Sequence, residues 1–248
     1  MDKFIVYSAE DGAYALTQAG IVAVIVIAGI LVLLTAFLAS RAMNIAGISD
    51  TEHENKAAKT KEKTGKKLFS TKQLVVSALG IALAFALSYV KIIPMPWGGS
   101  VTLCSMLFIT LIGFWYGPAI GLTAGLAYGL LQFVQDGASY MLNPLQVFLD
   151  YIFAFTALGV SGFFNKTKHG LVTGYIVAVL ARGAFHVLGG YLYWMDYMPD
   201  NFPSQLASIY PFCYNYSFLL IEAVLTIIII SIPAVKKALI KIGRTVQG

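Results

Sequence analysis

The segment LNPLQVFLDYIFAFTALGVSGF, residues 142–163, carries a single charged side chain, that of Asp150. An apolar run of at least about 18 residues is long enough to cross the hydrocarbon core of a bilayer as a helix. A short polar turn, Asn165–Gly170, follows the segment and contains Lys166 and Lys168. The segment therefore predicts a membrane-spanning helix that ends in a basic loop.

Similar apolar segments recur along the chain. We place the other spans at about 73–93, 101–117, 119–134, 171–189 and 210–233. Hydrophobic residues make up 58% of the chain and charged residues only 12%, about half the charged share of a typical soluble domain. Because so few charges cannot cover a water-facing surface, the sequence predicts an all-α membrane protein.

The N-terminal part of the chain has a different pattern. The apolar segment Ala15–Ser40 predicts one extra N-terminal transmembrane helix within residues 1–40, and the acidic residues before it are not typical of a signal peptide. Residues 41–72 contain seven lysines and few large apolar side chains, which predicts a basic cytoplasmic linker. Residues 73–248 form the third unit, a six-helix domain.

Charged loops indicate how the helices are oriented. Basic residues gather in the linker, in the 165–170 turn and in the tail, which carries Lys236, Lys237, Lys241 and Arg244. The opposite loops contain Asp136, Asp196 and Asp200. Since short loops rich in Lys and Arg stay in the cytoplasm, we expect a multi-pass cell-membrane protein with its N-terminus outside and its C-terminus in the cytoplasm.

Small residues and cysteines are interpreted as packing residues. Gly121, Gly125 and Gly129 recur at intervals of four, which favours close approach of helices in a membrane. Cys104 and Cys213 have apolar or aromatic neighbours and no CxxC spacing. We therefore expect two buried thiols, without a disulfide or a metal site.

Ionisable residues inside the predicted spans are the strongest candidates for a binding site. A carboxylate such as Asp150 is costly in hydrocarbon unless it faces the bundle interior and has a partner. Its function is either ligand binding or structural pairing with Arg182. His186 lies four residues after Arg182 and eight residues before Trp194, and positions separated by four and eight residues lie near one helix face. A hydrogen bond between helices is the alternative role for His186.

Aromatic and amide residues surround these candidates in the predicted outer loops and helix ends. Trp97 lies in a loop shaped by proline and glycine, although it is also typical of an interfacial belt. Tyr210 and Asn215 open the last span, and a carboxamide both donates and accepts hydrogen bonds. Aromatic faces attract a cation by about 0.5–2 kcal/mol each, and a carboxylate adds a counter-charge. The pattern predicts a flat cationic ligand.

These residues resemble the thiamine-specific S-component of the energy-coupling factor (ECF) vitamin transporters. The resemblance covers about residues 70–240 and is carried by Asn143–Gln146 with Leu149–Tyr151, by Phe185 and His186 with Trp194, and by Tyr210 with Asn215. It implies a six-helix S-component bundle that binds thiamine with high affinity. The implied substrate site consists of Trp97, Tyr140, Asp150, Tyr151, His186, Trp194, Tyr210 and Asn215. Some family members have Glu at the position of Asp150, which leaves the carboxylate contact open.

The resemblance also implies partners. S-components dock on a membrane T-component through an AxxxA pattern on the first helix, which here matches Ala78 and Ala82. Two ATP-binding subunits would supply energy, since this chain contains no GxxxxGK[ST] motif. Besides thiamine, these subunits and the lipid bilayer, we expect no cofactor, metal or nucleic acid.

Two other functions stay open on sequence alone. The first is a carrier for thiamine or another vitamin that works without the ECF module. The second is an intramembrane enzyme with Asp150 and His186 as an acid–base pair, but no nucleophile motif, aspartate pair or HExxH supports it. We therefore expect no enzymatic activity. Glu222, in the last span, is outside the resemblance, and we expect it to neutralise Arg182.

Overall fold

The computed structural model describes residues 5–8, 13–19, 22, 70–96, 98–138 and 141–247. Within these ranges seven principal helices account for most of the chain. They are α1 (Thr71–Ser88), α2 (Ser105–Tyr116), α3 (Pro118–Gln132), α4 (Pro144–Phe164), α5 (Gly170–Tyr193), α6 (Tyr210–Ser231) and α7 (Pro233–Gln247). The predicted all-α membrane fold is confirmed, with two short hairpins added to it.

Both hairpins are antiparallel strand pairs. Strands β1 (Ile5–Ser8) and β2 (Ala13–Leu16) form one, and β3 (Lys91–Pro94) and β4 (Ser100–Thr102) form the other. Strand β2 includes the first two residues of the predicted extra N-terminal helix. Nearly all the rest of that helix, and of the 41–72 linker, lies outside the described residues.

The six predicted spans correspond to α1 to α6. The largest difference is at the first span, where α1 ends at Ser88 and the Lys91–Pro94 strand follows. This stretch is rich in β-branched residues and leads into two prolines, which favours a strand over a helix. At the other end of α1, Ser70 and Gln73 form a capping box that starts the helix.

Among the described residues, four helices are long and apolar enough to cross a membrane. They are Thr71–Ser88, Pro144–Phe164, Gly170–Tyr193 and Ser204–Ser231, the last of which includes a 3₁₀ segment before α6. Helix α2 is equally apolar but has only 12 residues, or about 18 Å at about 1.5 Å per residue. Several large apolar side chains of α1 and α6 are exposed, among them Leu74, Val75 and Ile228, as expected where lipid is the solvent.

Close helix contacts in the bundle depend on glycine. A Cβ atom on Gly159 of α4 would lie 2.2 Å from the carbonyl carbon of Gly121 in α3. Similarly, a Cβ on Gly125 would lie 2.6 Å from the carbonyl oxygen of Phe155, and one on Gly129 would lie 2.4 Å from that of Tyr151. These contacts confirm the packing role that the sequence predicted for the α3 glycines.

Irregular helical turns occur where the bundle faces its interior cavity. Helix α3 continues into a π-helix at Phe133–Gly137, and α4 contains another at Phe148–Phe153. The second π-helix includes Asp150. Single π-turns inside longer helices occur frequently at functional sites, because they change the direction of side chains along the helix.

The basic tail forms a helix that the sequence analysis did not predict. Helix α7 follows α6 after one residue, Ile232, and packs against the start of α1 and the end of α2. Its Lys and Arg residues predict a cytoplasmic tail, and the spacing of Val235, Leu239 and Val246 along one face is typical of a helix. Of the two free cysteines, Cys104 is buried as expected, but Cys213 is exposed, so its predicted burial is wrong.

Candidate functional site

One cavity of about 580 Å³ lies between the β3–β4 hairpin and helices α3 to α6. This volume is within the range of about 300–1,000 Å³ that is typical of small-molecule sites. The hairpin contributes backbone and small side chains, including Gly98, Gly99 and Ser100. Most of the other lining residues are aromatic, amide or charged, so the cavity combines flat apolar walls with a few directed polar groups.

Asp150 is a buried acid on α4, with 9% of its surface exposed. Its Oδ2 accepts hydrogen bonds from Nε2 of Gln146 at 2.9 Å and from Nε1 of Trp194 at 3.0 Å. Nδ1 of His186 lies 3.4 Å from Oδ1. The carboxylate is thus held by one side chain of α4, one of α5 and one that directly follows α5.

His186 connects Asp150 to Arg182. Nε of Arg182 donates a hydrogen bond to Nε2 of His186 at 3.2 Å. Because Nε2 accepts, the neutral imidazole carries its proton on Nδ1 and presents it to Asp150. Asp150 therefore does not pair directly with Arg182, and the imidazole between them fixes the order of donors and acceptors. His186 also makes the hydrogen bond between helices that was its alternative role.

Arg182 is held from its other side by an aromatic ring. The Cζ atom of its guanidinium lies 4.0 Å from the centroid of the Phe155 ring, a cation–π contact. The Phe155 ring also stacks nearly parallel to that of Tyr151, with centroids 6.4 Å apart and planes at 13°. Helix α4 thus provides both Asp150 and the ring that contacts Arg182.

Helix α6 closes the cavity with an amide and a phenol. Nδ2 of Asn215 donates to the carbonyl oxygens of Pro211 at 2.8 Å and His186 at 3.3 Å, which joins α6 to α5. Tyr210 is buried, and its ring lies 5.0 Å from that of Phe202. These contacts fix the positions of the two side chains.

Glu222 has partners different from those that the sequence predicted. Its Oε2 accepts from the backbone N of Thr102 at 2.9 Å and from Oγ1 of Thr102 at 2.6 Å, and its Oε1 accepts from Oγ of Ser105 and the backbone N of Met106, both at 3.3 Å. No ion pair joins it to Arg182. The expected direct pairing of these two residues is therefore wrong, although the charge of Glu222 still acts on the guanidinium through space.

The physical reason is the unsatisfied N-terminus of α2. Cys104 precedes this helix with a left-handed φ of 58° and provides no side-chain cap. The first N–H groups of a helix need an acceptor and carry partial positive charge. Glu222 supplies that acceptor from α6 while its side chain, 3% exposed, still borders the cavity.

Comparison with known proteins identifies the family. Residues 74–242 match the family model described as thiamine transporter protein (Thia_YuaJ). The chain belongs to the thiamine transporter family. The resemblance that the sequence predicted is thus confirmed at the level of the family, and the match begins near the start of α1.

Three relatives of this family show how far the likeness extends. The chain is 34% identical to the thiamine transporter ThiT of Bacillus subtilis over 186 residues, which cover 67% of this chain and 94% of the relative. It is 29% identical to ThiT of Lacticaseibacillus paracasei, covering 65% of this chain and 87% of the relative. The solved structure of ThiT from Listeria monocytogenes matches with a TM-score of 0.51 and 25% identity, covering 65% of this chain and 94% of that one.

The described members of the predicted site lie together. Asp150, Tyr151, His186, Trp194, Tyr210 and Asn215 all line the same cavity. The other two predicted residues, Trp97 and Tyr140, lie outside the described residues. Ala78 and Ala82 are exposed on α1 and do not line the cavity.

The sequence analysis missed several residues that border the cavity. They are Tyr128, Gln132, Gln146, Phe155, Tyr197, Tyr214 and Phe218. Gln146 precedes Asp150 by four residues, so helical spacing alone could have indicated their contact. Phe155 and Phe218 gave no such signal, because apolar aromatic residues are common throughout the spans.

Proposed function

We propose that this protein binds thiamine from the extracellular side and imports it as the S-component of an ATP-driven ECF transporter. The observation that carries this proposal is the environment of Asp150. A buried carboxylate with a neutral imidazole and an indole N–H as partners lies in an aromatic cavity. Thiamine is flat, aromatic and permanently cationic at its thiazolium ring.

The charges that line the cavity support a cationic ligand. Among its described residues, Lys91 and Asp136 form an ion pair at 3.1 Å at the exposed mouth. The remaining charged residues are Asp150, Glu222 and Arg182. Two carboxylates and one guanidinium leave one net negative charge when His186 is neutral, so a ligand with one positive charge completes the balance.

The aromatic walls support the same ligand. Tyr151, Trp194, Tyr210 and Tyr214 border the cavity together with Phe155 and Phe218. Each ring that meets a cation face-on contributes about 0.5–2 kcal/mol, depending on desolvation. An anionic ligand without a cationic ring would gain no cation–π attraction from these faces and would be repelled by Asp150.

The names of the relatives support transport as the activity, and the sequence supports an external energy source. The relatives are thiamine transporters, and this chain has no ATP-binding motif of its own. We propose that the exposed Ala78 and Ala82 face of α1 docks on a T-component, which two ATP-binding subunits drive. The site would open outward, with the N-terminus outside and the C-terminus in the cytoplasm.

Uptake into proteoliposomes tests this function. The complete chain is reconstituted with or without an ECF module, and accumulation of labelled thiamine is followed with and without ATP. We expect accumulation only when both the module and ATP are present. Accumulation without them would instead indicate a solitary carrier, and conversion of thiamine to a product would indicate an enzyme.

A docking variant sharpens the same assay. Ala78→Trp/Ala82→Trp would place two bulky rings on the proposed docking face, whereas the control Leu83→Trp places one ring at an exposed position on a different edge of α1. We expect the double variant to bind thiamine normally but to lose uptake. Equal uptake by the double variant and the wild type would contradict the proposed docking face.

A further inference from the structure

Helix α7 has two exposed edges of opposite character. Lys237, Lys241 and Arg244 are exposed on one edge, and Ala238 and Ile242 are exposed on another. Residues spaced by three or four lie on one face of a helix, so each set forms a continuous stripe. A helix with a charged stripe beside an apolar stripe is typical of the surface of a membrane.

A third stripe of α7 attaches it to the bundle. Val235, Leu239 and Val246 are partly buried, and Gly243 is buried. A Cβ on Gly243 would lie 2.7 Å from the Trp115 ring of α2. The helix is therefore fixed against the bundle by one side, while its basic and apolar edges face outward.

Two polar contacts define where α7 lies. Nζ of Lys72, at the start of α1, donates to the carbonyl oxygen of Thr245. Nε2 of Gln247 donates to the carbonyl oxygen of Trp115, near the end of α2. Because α6 leads into α7 after a single residue, the helix lies where the spans end, at the boundary between the bundle and its surroundings.

Among the described residues, the charges at this end of the bundle have one sign. The described basic residues here are Lys72, Lys166, Lys168, Lys236, Lys237, Lys241 and Arg244. The described acidic residues line the cavity or follow α5 at the other end, and they are Asp136, Asp150, Asp196, Asp200 and Glu222. The surface around α7 is thus complementary to a negatively charged partner.

We infer that α7 is an interfacial helix that binds anionic phospholipid headgroups. Lys237, Lys241 and Arg244 contact the phosphates, and the Ala238 and Ile242 edge enters the adjoining acyl region. Juxtamembrane Lys and Arg clusters are attracted to anionic lipid surfaces, and a helix that continues from a membrane span is already at the correct depth. Placing this contact in the cytoplasmic leaflet rests on the orientation given under the proposed function.

Nitroxide depth measurements test this inference on the complete chain. A label is attached at Ile242→Cys in a Cys213→Ser background, and the protein is placed in nanodiscs of phosphatidylcholine alone or mixed with phosphatidylglycerol. No transporter partner is present. We expect the anionic lipid to raise collision of the label with oxygen and to lower collision with a water-soluble nickel complex.

Two charge-matched variants separate a specific contact from a general charge effect. Lys237→Gln/Lys241→Gln removes two charges from the basic edge, and Lys166→Gln/Lys168→Gln removes two from the α4–α5 turn. We expect the first variant to lose at least half of the lipid-dependent shift and the second to keep most of it. Equal losses, or a label that stays accessible to nickel in both lipid mixtures, would overturn the inference. Protection that occurs only after ECF subunits are added would also overturn it, in favour of a protein partner.

Thiamine titration in the same nanodiscs distinguishes this inference from the proposed function. The basic edge of α7 does not line the cavity, so Lys237→Gln/Lys241→Gln should leave thiamine affinity within about twofold of the wild type. Normal thiamine binding without a lipid-dependent shift would contradict only the role of α7. A normal shift without thiamine binding would contradict only the proposed function.

Discussion

Asp150 and Glu222 are two buried acids that border the same cavity, but they are held by different kinds of partner. Asp150 on α4 accepts hydrogen bonds only from side chains, those of Gln146, His186 and Trp194. Glu222 on α6 accepts two of its four hydrogen bonds from backbone N–H groups, at Thr102 and Met106. Side chains can turn toward a ligand, whereas the backbone at a helix start cannot.

The difference assigns the two acids to different tasks. Asp150 can exchange a partner for a cationic ligand without unfolding any helix. Glu222 has to stay in place, because its removal would leave the N-terminus of α2 and strand β4 without an acceptor. Variants at the two positions should therefore separate ligand affinity from stability.

Glu222→Gln should have the largest effect, and the effect should be on stability. The amide keeps the shape but turns one acceptor into a donor that faces other donors, and buried unsatisfied groups cost about 1–3 kcal/mol each. We expect the free energy of unfolding in detergent to fall by about 2–3 kcal/mol, measured by reversible denaturant unfolding. Thiamine affinity of the folded fraction should change less than about threefold.

The opposite result would remove the distinction between the two acids. A Glu222→Gln protein with wild-type stability and strongly weakened thiamine binding would show that Glu222 is the ligand's counter-charge. Asp150→Asn is the matched control, since it makes the same chemical change at the other acid. Its unfolding free energy should change by less than about 1 kcal/mol, because the remaining oxygen can keep the bonds from Gln146 and Trp194 and only the long contact with His186 is lost.

Asp150→Asn should in turn weaken thiamine binding at least tenfold, which corresponds to about 1.4 kcal/mol. The amide keeps the size of the side chain but removes the negative charge that attracts the cation. Asp150→Glu, which restores the charge on a longer side chain, should bind within about threefold of the wild type. Isothermal titration calorimetry measures both, and equal affinities for Asp150→Asn and the wild type would exclude an electrostatic role.

Two substitutions of Trp194 distinguish the contribution of its ring from that of its hydrogen bond to Asp150. Trp194→Ala removes both the aromatic wall and the N–H that Asp150 accepts, and we expect about a tenfold loss of affinity. Trp194→Phe keeps a ring and removes only the donor, so we expect about a threefold loss, near the cost of one hydrogen bond. Equal losses in the two variants would mean that the ring itself contributes nothing.

Lys91→Gln should have the smallest effect. Its ion pair with Asp136 lies at the mouth, and both side chains are about two-fifths exposed, at 38% and 42%. Exposed pairs contribute little, about 0–1 kcal/mol, so thiamine affinity should change less than twofold. A larger change in titration calorimetry would show that the hairpin and α3 act as part of the binding site.

The features that could be predicted from the sequence are those that depend on local pattern. Apolar length and loop charge located α1 to α6, because each span is defined by its own residues. Helical spacing brought His186 near Arg182, and the cost of a buried charge singled out Asp150. These arguments use neighbours along one helix.

The features that could not be predicted depend on contacts between distant parts of the chain. Glu222 meets Thr102 across 120 positions, and nothing near either residue indicates the pairing. The reversal of chain direction at β3 and β4, and the contact between Arg182 and Phe155, likewise follow from how the helices pack. The amphipathic pattern of α7 is present in the sequence, but its lysines alone also fit an unstructured basic tail.

A fluorescence titration of the wild-type protein tests the central claim most directly. Trp194 borders the cavity, so a flat cation that binds beside Asp150 should quench its emission. We expect thiamine to quench tryptophan fluorescence to saturation, while pyridoxine, a flat vitamin without a fixed positive charge, has no effect at the same concentration. Quenching by pyridoxine with none by thiamine would contradict the account.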